Sequence, residues 1–189
     1  MIEYIHVISP LEPETVKALR VSDHVMIDGI IYTARDAAHQ RLVEALNNGQ
    51  DLPLDIAGQT IYYCGPSPAR HGRPIGSAGP TTSKRMDMFT PQLLKAGLRV
   101  MIGKGGRSSE VKQSMIKNNA AYLIATGGAG ALISKSIKNA EVVAYEDLGA
   151  EAIMRLEVSG FPAIVANDIY GGDLYEAGRA RYQKLGNYP

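Results

Sequence analysis

With 189 residues the chain is long enough for one well-packed domain and short for two. Hydrophobic residues make up 45% and charged residues 21%, which argues against extensive disorder, and 20 basic against 19 acidic residues leave a formal charge of +1, too small to steer the chain to nucleic acid or anionic lipid. The single cysteine, Cys64, excludes an internal disulfide and a self-contained Cys-ligated zinc or iron-sulfur site, and no apolar run approaches the roughly 20 residues that span a bilayer.

The opening MIEYIHVISP, residues 1–10, is apolar and partly alternating and predicts a strand; it carries no basic leader, so a cytoplasmic location is expected. Pro13 starts a brief helical stretch. Residues 25–33 are rich in β-branched types and predict a second strand, and 36–46 has helical spacing that ends near Gly49. TIYYCGPSP, at 60–68, predicts a strand ended by turns, followed by a Gly/Pro-rich loop over 70–80. The next segment, TTSKRMDMFTPQLLKAG, predicts a helix capped by its hydroxyl residues, with Pro91 forcing either a kink or two short helices.

LRVMIGKGG then predicts a strand into a glycine turn, 109–118 a helix, and AAYLIAT a strand into the turn GGAGA. Two successive strand, turn and helix units indicate an α/β domain with some parallel pairing. The region 141–158 predicts further strand and turn, FPAIVAND another strand, and 169–189 a polar, tyrosine-containing tail.

Three constellations carry candidate chemistry. In TARDAAHQR, at 33–41, Arg35 and His39 are one helical turn apart, which sets a guanidinium and an imidazole at one edge. A guanidinium suits a carboxylate because its planar fork donates two parallel hydrogen bonds; an ordinary charged helix start accounts for the same letters. In GPTTSKRMD, at 79–87, Thr81, Thr82, Ser83 and Arg85 can jointly receive an anion at a helix start, or simply cap that helix. IGKGG places Lys104 between glycines, either a ligand-approaching turn or a tight turn alone; a full phosphate loop is absent. Cys64, in an apparent strand, reads as a buried small hydrophobe.

Taken together and in this order, TARDAAHQR, IYYCGP, GPTTSKRMD and IGKGG resemble the C-terminal domain of class I fumarases and the equivalent small (beta) subunit of two-subunit fumarases and L-tartrate dehydratases, over most of the chain. The resemblance implies an α/β fold, a single compact swivelling-type domain with mixed sheet and flanking helices, at 1–175, with a C-terminal tail at 176–189. It implies a larger alpha subunit as partner, whose three cysteines hold a 4Fe-4S cluster, so that this chain alone is expected to be inactive, and a dimer of alpha-beta units. By the same resemblance Arg35, Arg85 and Lys104 bind the substrate carboxylates, Thr81 orients the substrate or relays a proton, and His39 is an acid-base or supporting residue.

The implied reaction is the interconversion of (S)-malate and fumarate plus water, with dehydration of tartrate to oxaloacetate as the alternative. A dicarboxylate-binding module without catalysis is the alternative of another class.

Overall fold

The apolar runs around Thr60–Tyr62, Val100–Gly103 and Ala121–Ile124 send alternate side chains to opposite faces of one sheet, and both faces are buried. Burial on two sides is what makes such strands continuous rather than alternating in their hydrophobicity. In the computed structural model, which describes residues 3–183, the strands are β1 (Tyr4–Ser9), β2 (His24–Thr33), β3 (Thr60–Tyr62), β4 (Val100–Gly103), β5 (Ala121–Ile124), β6 (Ile137–Ala144) and β7 (Ile153–Asn167). Their order is β1-β2-β3-β4-β5-β7-β6, and β7 also pairs with β2, so that β2, β3, β4, β5 and β7 close into a barrel. The first five strands pair in parallel, whereas β7 is antiparallel to each of its neighbours. The expected α/β fold with a mixed sheet and flanking helices is the one observed.

One cluster, with Tyr62, Ile102, Leu123 and Phe161, lies on one face of the sheet. The other face carries Ile61, Tyr63, Met101 and Tyr122 under three helices: α2 (Asp36–Asn47) through Ala38 and Leu42, α3 (Thr90–Lys95) through Leu93 and Leu94, and α4 (Ser109–Lys117) through Val111 and Met115. Each such large apolar side chain contributes about 1.5–3 kcal/mol on burial. The remaining helices are α1 (Pro13–Ala18), α5 (Gly130–Ile133) and α6 (Leu174–Gln183). No helix of the described residues is long and apolar enough to cross a membrane.

Several local expectations change. The hydroxyls of TTSKR cap no helix: Thr82 precedes a short 3-10 turn, Ser83–Met86, without a side-chain capping bond, and the chain restarts as α3 with Pro91 in its first turn, where a missing N–H is harmless. Of the two arrangements expected around Pro91, two short helices is the one formed.

The strand and turn expected over 141–158 are the end of β6, the 3-10 turn Glu146–Glu151 and the start of β7, but the separate strand expected at FPAIVAND is not separate: β7 runs unbroken through Gly160. Its register slips by one residue against Ile27 and Gly29, and Gly160, at φ +65°, absorbs the bulge that the sequence shows only as a glycine. The polar segment expected as a tail from residue 169 contains α6, tied down by Lys112 to Asp173 at 3.1 Å and to Glu176. Residues 184–189 of that tail, and Met1 and Ile2 of the first strand, lie outside the described residues.

Candidate active site

Because β2, β3, β4 and β5 pair in parallel, the chain leaves all four at the same edge of the barrel. Arg35 follows β2 by two residues, Lys104 follows β4 directly, and Gly127 lies just beyond β5. The segment at 81–83 returns to this edge and extends it. Thr81 N–H donates to the Tyr63 carbonyl at 2.7 Å, Lys104 N–H to the Thr81 carbonyl at 3.2 Å, and Ser83 N–H to the Lys104 carbonyl at 2.9 Å. Sequence positions 81 and 104 therefore sit together through main-chain bonds, not through their side chains.

Arg85, 54% exposed along its side chain, donates from Nε to Asp36 Oδ1 at 2.8 Å. Asp36 Oδ2 lies 3.8 Å from Arg35 Nε, so one carboxylate stands between the two guanidinium groups. Arg35 Nη2 is 3.5 Å from Glu151 Oε1, and Glu151 Oε2 accepts the Ala37 N–H at 2.9 Å. Arg35 lies across Gly65, where an added Cβ would come within 2.5 Å of Nη1. The Lys104 stem passes Gly127, 3.6 Å from where a Cβ would stand, and its ammonium makes no ion pair among the described residues. Arg35, Thr81, Arg85 and Lys104 are thus brought to one edge, with all three cations at least partly open to solvent.

His39 is placed differently. Its ring is wholly buried against Tyr63, with centroids 5.1 Å apart, and Nδ1 lies 2.9 Å from the Arg35 carbonyl, which only an N–H can satisfy. Burial lowers its pKa to about 4, so the imidazole is neutral, with Nε2 unpartnered. It holds the main chain of Arg35 rather than lying beside the guanidinium.

Beneath the edge lies a cation that the motifs did not single out. Arg107 has a fully buried side chain and donates from Nε to Asp87 at 2.7 Å, from Nη1 to the Tyr63 hydroxyl at 3.2 Å and from Nη2 to Thr90 at 2.7 Å. Asp36, Asp87 and Glu151 were equally unflagged. Asp36 and Asp87 stand inside quoted motifs and Arg107 immediately follows IGKGG, so adjacency was the available signal; Glu151, 116 positions from Arg35, offered none.

The family described as Fumarase C-terminus matches residues 3–178 of this sequence. The chain belongs to that family. It is 40% identical over 158 residues to the aerobic class I fumarate hydratase of Escherichia coli (strain K12), covering 82% of this chain but 29% of that protein. Against the putative L(+)-tartrate dehydratase subunit beta of Methanocaldococcus jannaschii it is 37% identical over 182 residues, 93% of each chain. With the mitochondrial fumarate hydratase 1 of Leishmania major it shares 38% identity over 169 residues, 87% of this chain and 31% of that one. This fumarase C-terminal chain therefore spans under a third of the fumarate hydratases it matches, and nearly the whole of the dehydratase subunit.

The described residues of this fumarase C-terminal chain do not fit a metal cluster. Among the described residues no group of three or more His, Cys, Asp or Glu is placed to hold a metal ion. Cys64 is buried, and burial pushes its pKa up to about 12, against the opposing pull of the Arg35 guanidinium. Concavities of about 420 Å³ beside Leu46 and Lys95 and about 470 Å³ beside Glu3 and His24 are lined by none of Arg35, Thr81, Arg85 and Lys104.

Proposed function

We propose that this chain supplies the carboxylate-binding face of a hydro-lyase that interconverts (S)-malate and fumarate, working with an alpha subunit that holds a 4Fe-4S cluster. The observation that carries the reading is the placement of Arg35 and Arg85 on either side of one carboxylate, that of Asp36, at the edge that also bears Lys104 and Thr81. A face that already organises two guanidinium groups around a carboxylate is suited to the two carboxylates of a small acid. Family membership supports hydro-lyase chemistry, and a relative named as a subunit beta supports a two-chain enzyme.

Dehydration joins loss of a proton beside a carboxylate to departure of hydroxide. In this reading Arg35, Arg85 and Lys104 fix both carboxylates and stabilise the charge that grows on the one next to the deprotonated carbon. Thr81 orients the substrate or relays a proton; its hydroxyl is a weak base, which leaves the main base to the partner. His39, neutral and enclosed, serves as a positioning residue for Arg35 rather than as the acid or base. No step on this chain runs through the cluster, for which it has no ligand set among the described residues.

A second reading is dehydration of tartrate to oxaloacetate, favoured by the end-to-end match to a putative tartrate dehydratase subunit. The two substrates differ by one hydroxyl, and discrimination rests on whether a buried polar group meets it.

The test is anaerobic isolation of the tagged chain with its partner, followed by turnover of malate and tartrate with fumarate and oxaloacetate measured separately. Fumarate from malate supports the first reading and preferential oxaloacetate from tartrate the second. Replacing Arg85 by Ala should lower kcat/KM by about 10²-fold while the complex still assembles, the size expected for losing one donor to developing charge. A complex that binds either acid but dehydrates neither reduces the chain to a binding module and defeats both readings.

A further inference from the structure

The carboxylate-binding groups arrive on separate segments, and something must set the distances between them. Arg85 stands on a short 3-10 turn and Lys104 on a glycine turn, neither of which is rigid by itself. We propose that Asp87 and Arg107 are the positioning pair for this site, clamping the hydroxyl-and-arginine segment to the lysine turn.

Asp87, two residues after Arg85, uses both oxygens on the other segment. Oδ1 accepts from Arg107 Nε at 2.7 Å and Oδ2 from the Ser108 N–H at 2.7 Å, so the end of the arginine segment is bolted to the residues just after Lys104. The guanidinium carries the link further. Its Nη2 bonds Thr90 Oγ1, which itself donates to the Met86 carbonyl at 2.8 Å, and its Nη1 bonds the Tyr63 hydroxyl. Tyr63 is two residues before Gly65, over which Arg35 lies, and its ring packs on His39, the residue that bonds the Arg35 carbonyl.

On the far side the Tyr122 ring lies 5.0 Å from the guanidinium, and its hydroxyl meets Ser83 Oγ and the Gly105 carbonyl, each at 2.8 Å. The pair and its partners thus touch all three segments that bear carboxylate-binding side chains, while neither charge reaches the edge where a ligand would sit. A buried ion pair is weak evidence of stability, since apolar replacements often fold as well or better. What this pair supplies is a fixed geometry: a bidentate carboxylate and a three-way fork accept one arrangement of the segments and few others.

The kinetic readout rests on the hydro-lyase reading; the structural readout does not. The test uses the complex with its partner chain and two variants, Asp87→Asn, which keeps the shape and removes the charge, and Tyr63→Phe, which removes only one acceptor of Arg107. Two measurements are made on each: KM and kcat for the acid that the wild type dehydrates, and backbone hydrogen exchange over 81–87, 103–108 and, as a control, β5.

For Asp87→Asn the expectation is a KM raised tenfold or more with a smaller change in kcat, since loosened carboxylate binders weaken ground state and transition state alike. Exchange over 81–87 and 103–108 should quicken at least tenfold with β5 unchanged, and Tyr63→Phe should move both readouts in the same direction by less. Unchanged KM and exchange in both variants overturns the proposal. So does faster exchange everywhere, β5 included, with KM unaltered, which is what a merely structural pair would give. If the wild-type complex dehydrates neither acid, the hydro-lyase reading fails alone, and localised against uniform exchange still decides whether the pair positions these segments.

Discussion

Arg85 and Arg107 are 22 positions apart, each bonded through Nε to an aspartate oxygen, at 2.8 and 2.7 Å, and each beside the same candidate site. Arg85 is 54% exposed and shares its carboxylate with Arg35, so most of its donors stay open to water or a ligand. Arg107 is fully buried, spends all three nitrogens on protein groups and lies between two tyrosine rings. The same ion-pair chemistry therefore yields an exchangeable contact at the edge and a fixed joint beneath it. What separates them is solvent: water screens the first pair and competes for it, whereas the second is held out of water by hydrogen bonds to Asp87, Tyr63 and Thr90.

The largest expected effect comes from truncating the buried member. Arg107→Met leaves the Asp87 carboxylate, 11% exposed, without its counter-charge and should lower the unfolding free energy by about 3–5 kcal/mol. For a domain of this size that corresponds to a fall in Tm of roughly 10 °C. Arg85→Ala should stay within about 1 kcal/mol of the wild type in the same urea titration, as exposed pairs do, even while it removes most turnover. Equal destabilisation by the two changes would mean that the Arg85–Asp36 contact is a structural pair and not a ligand-exchangeable one.

This contrast also explains what the sequence made legible. The barrel strands were readable because IYY, VMI and AYL are buried on both faces, and the α2 and α4 spacings because one face of each helix is apolar. The bulge at Gly160 was not, since a glycine within an apolar stretch looks the same at a turn and in a bent strand. Nor was α6, whose anchorage consists of Tyr175 accepting the Gly105 N–H and Lys112 reaching Asp173 and Glu176 rather than of a buried apolar stripe.

Arg85 and Lys104 could be named because cations in hydroxyl- and glycine-rich segments are chemically conspicuous, and Arg35 because it stands where a strand gives way to a helix; the family resemblance adds to all three. Arg107 could not, because its importance lies in three partners at 63, 87 and 90, and letters carry no record of distance.

A smaller effect follows from the other way of burying a base. His39 shares the core with Arg107, but it has lost its charge instead of pairing it: its pKa falls from 6.5 to about 4, chiefly through burial. Between those values the unfolded chain binds a proton that the native chain refuses, so native stability falls as pH drops from 6.5 toward 4. The total is about 3 kcal/mol, with no contribution above that window. Urea unfolding of the wild type and of His39→Phe across pH 4–7 isolates this part, and the wild type should lose more stability on acidification than the variant. Parallel pH curves would show that the imidazole is charged or exposed in the native state.

The smallest effect is expected where an ion pair has good geometry but lies at the surface. Arg41 donates to both oxygens of Asp147, from Nη1 at 2.8 Å and Nη2 at 2.5 Å, joining α2 to the 3-10 turn Glu146–Glu151. The hydrogen bond raises the pKa of Arg41 and lowers that of Asp147, so each favours the other's charge. Yet both groups stay largely open to water, at 38% and 63% side-chain exposure, and what the pair gains in attraction it gives back in side-chain freedom and salt screening. Arg41→Ala should therefore shift the urea midpoint by less than any of the three variants above, and any shift should vanish in 1 M salt, where charges are screened within about 3 Å. A loss as large as that of Arg107→Met would mean that bidentate geometry, not burial, sets the strength of these pairs, and the division between an exchangeable edge and a fixed joint would have to be redrawn around geometry alone.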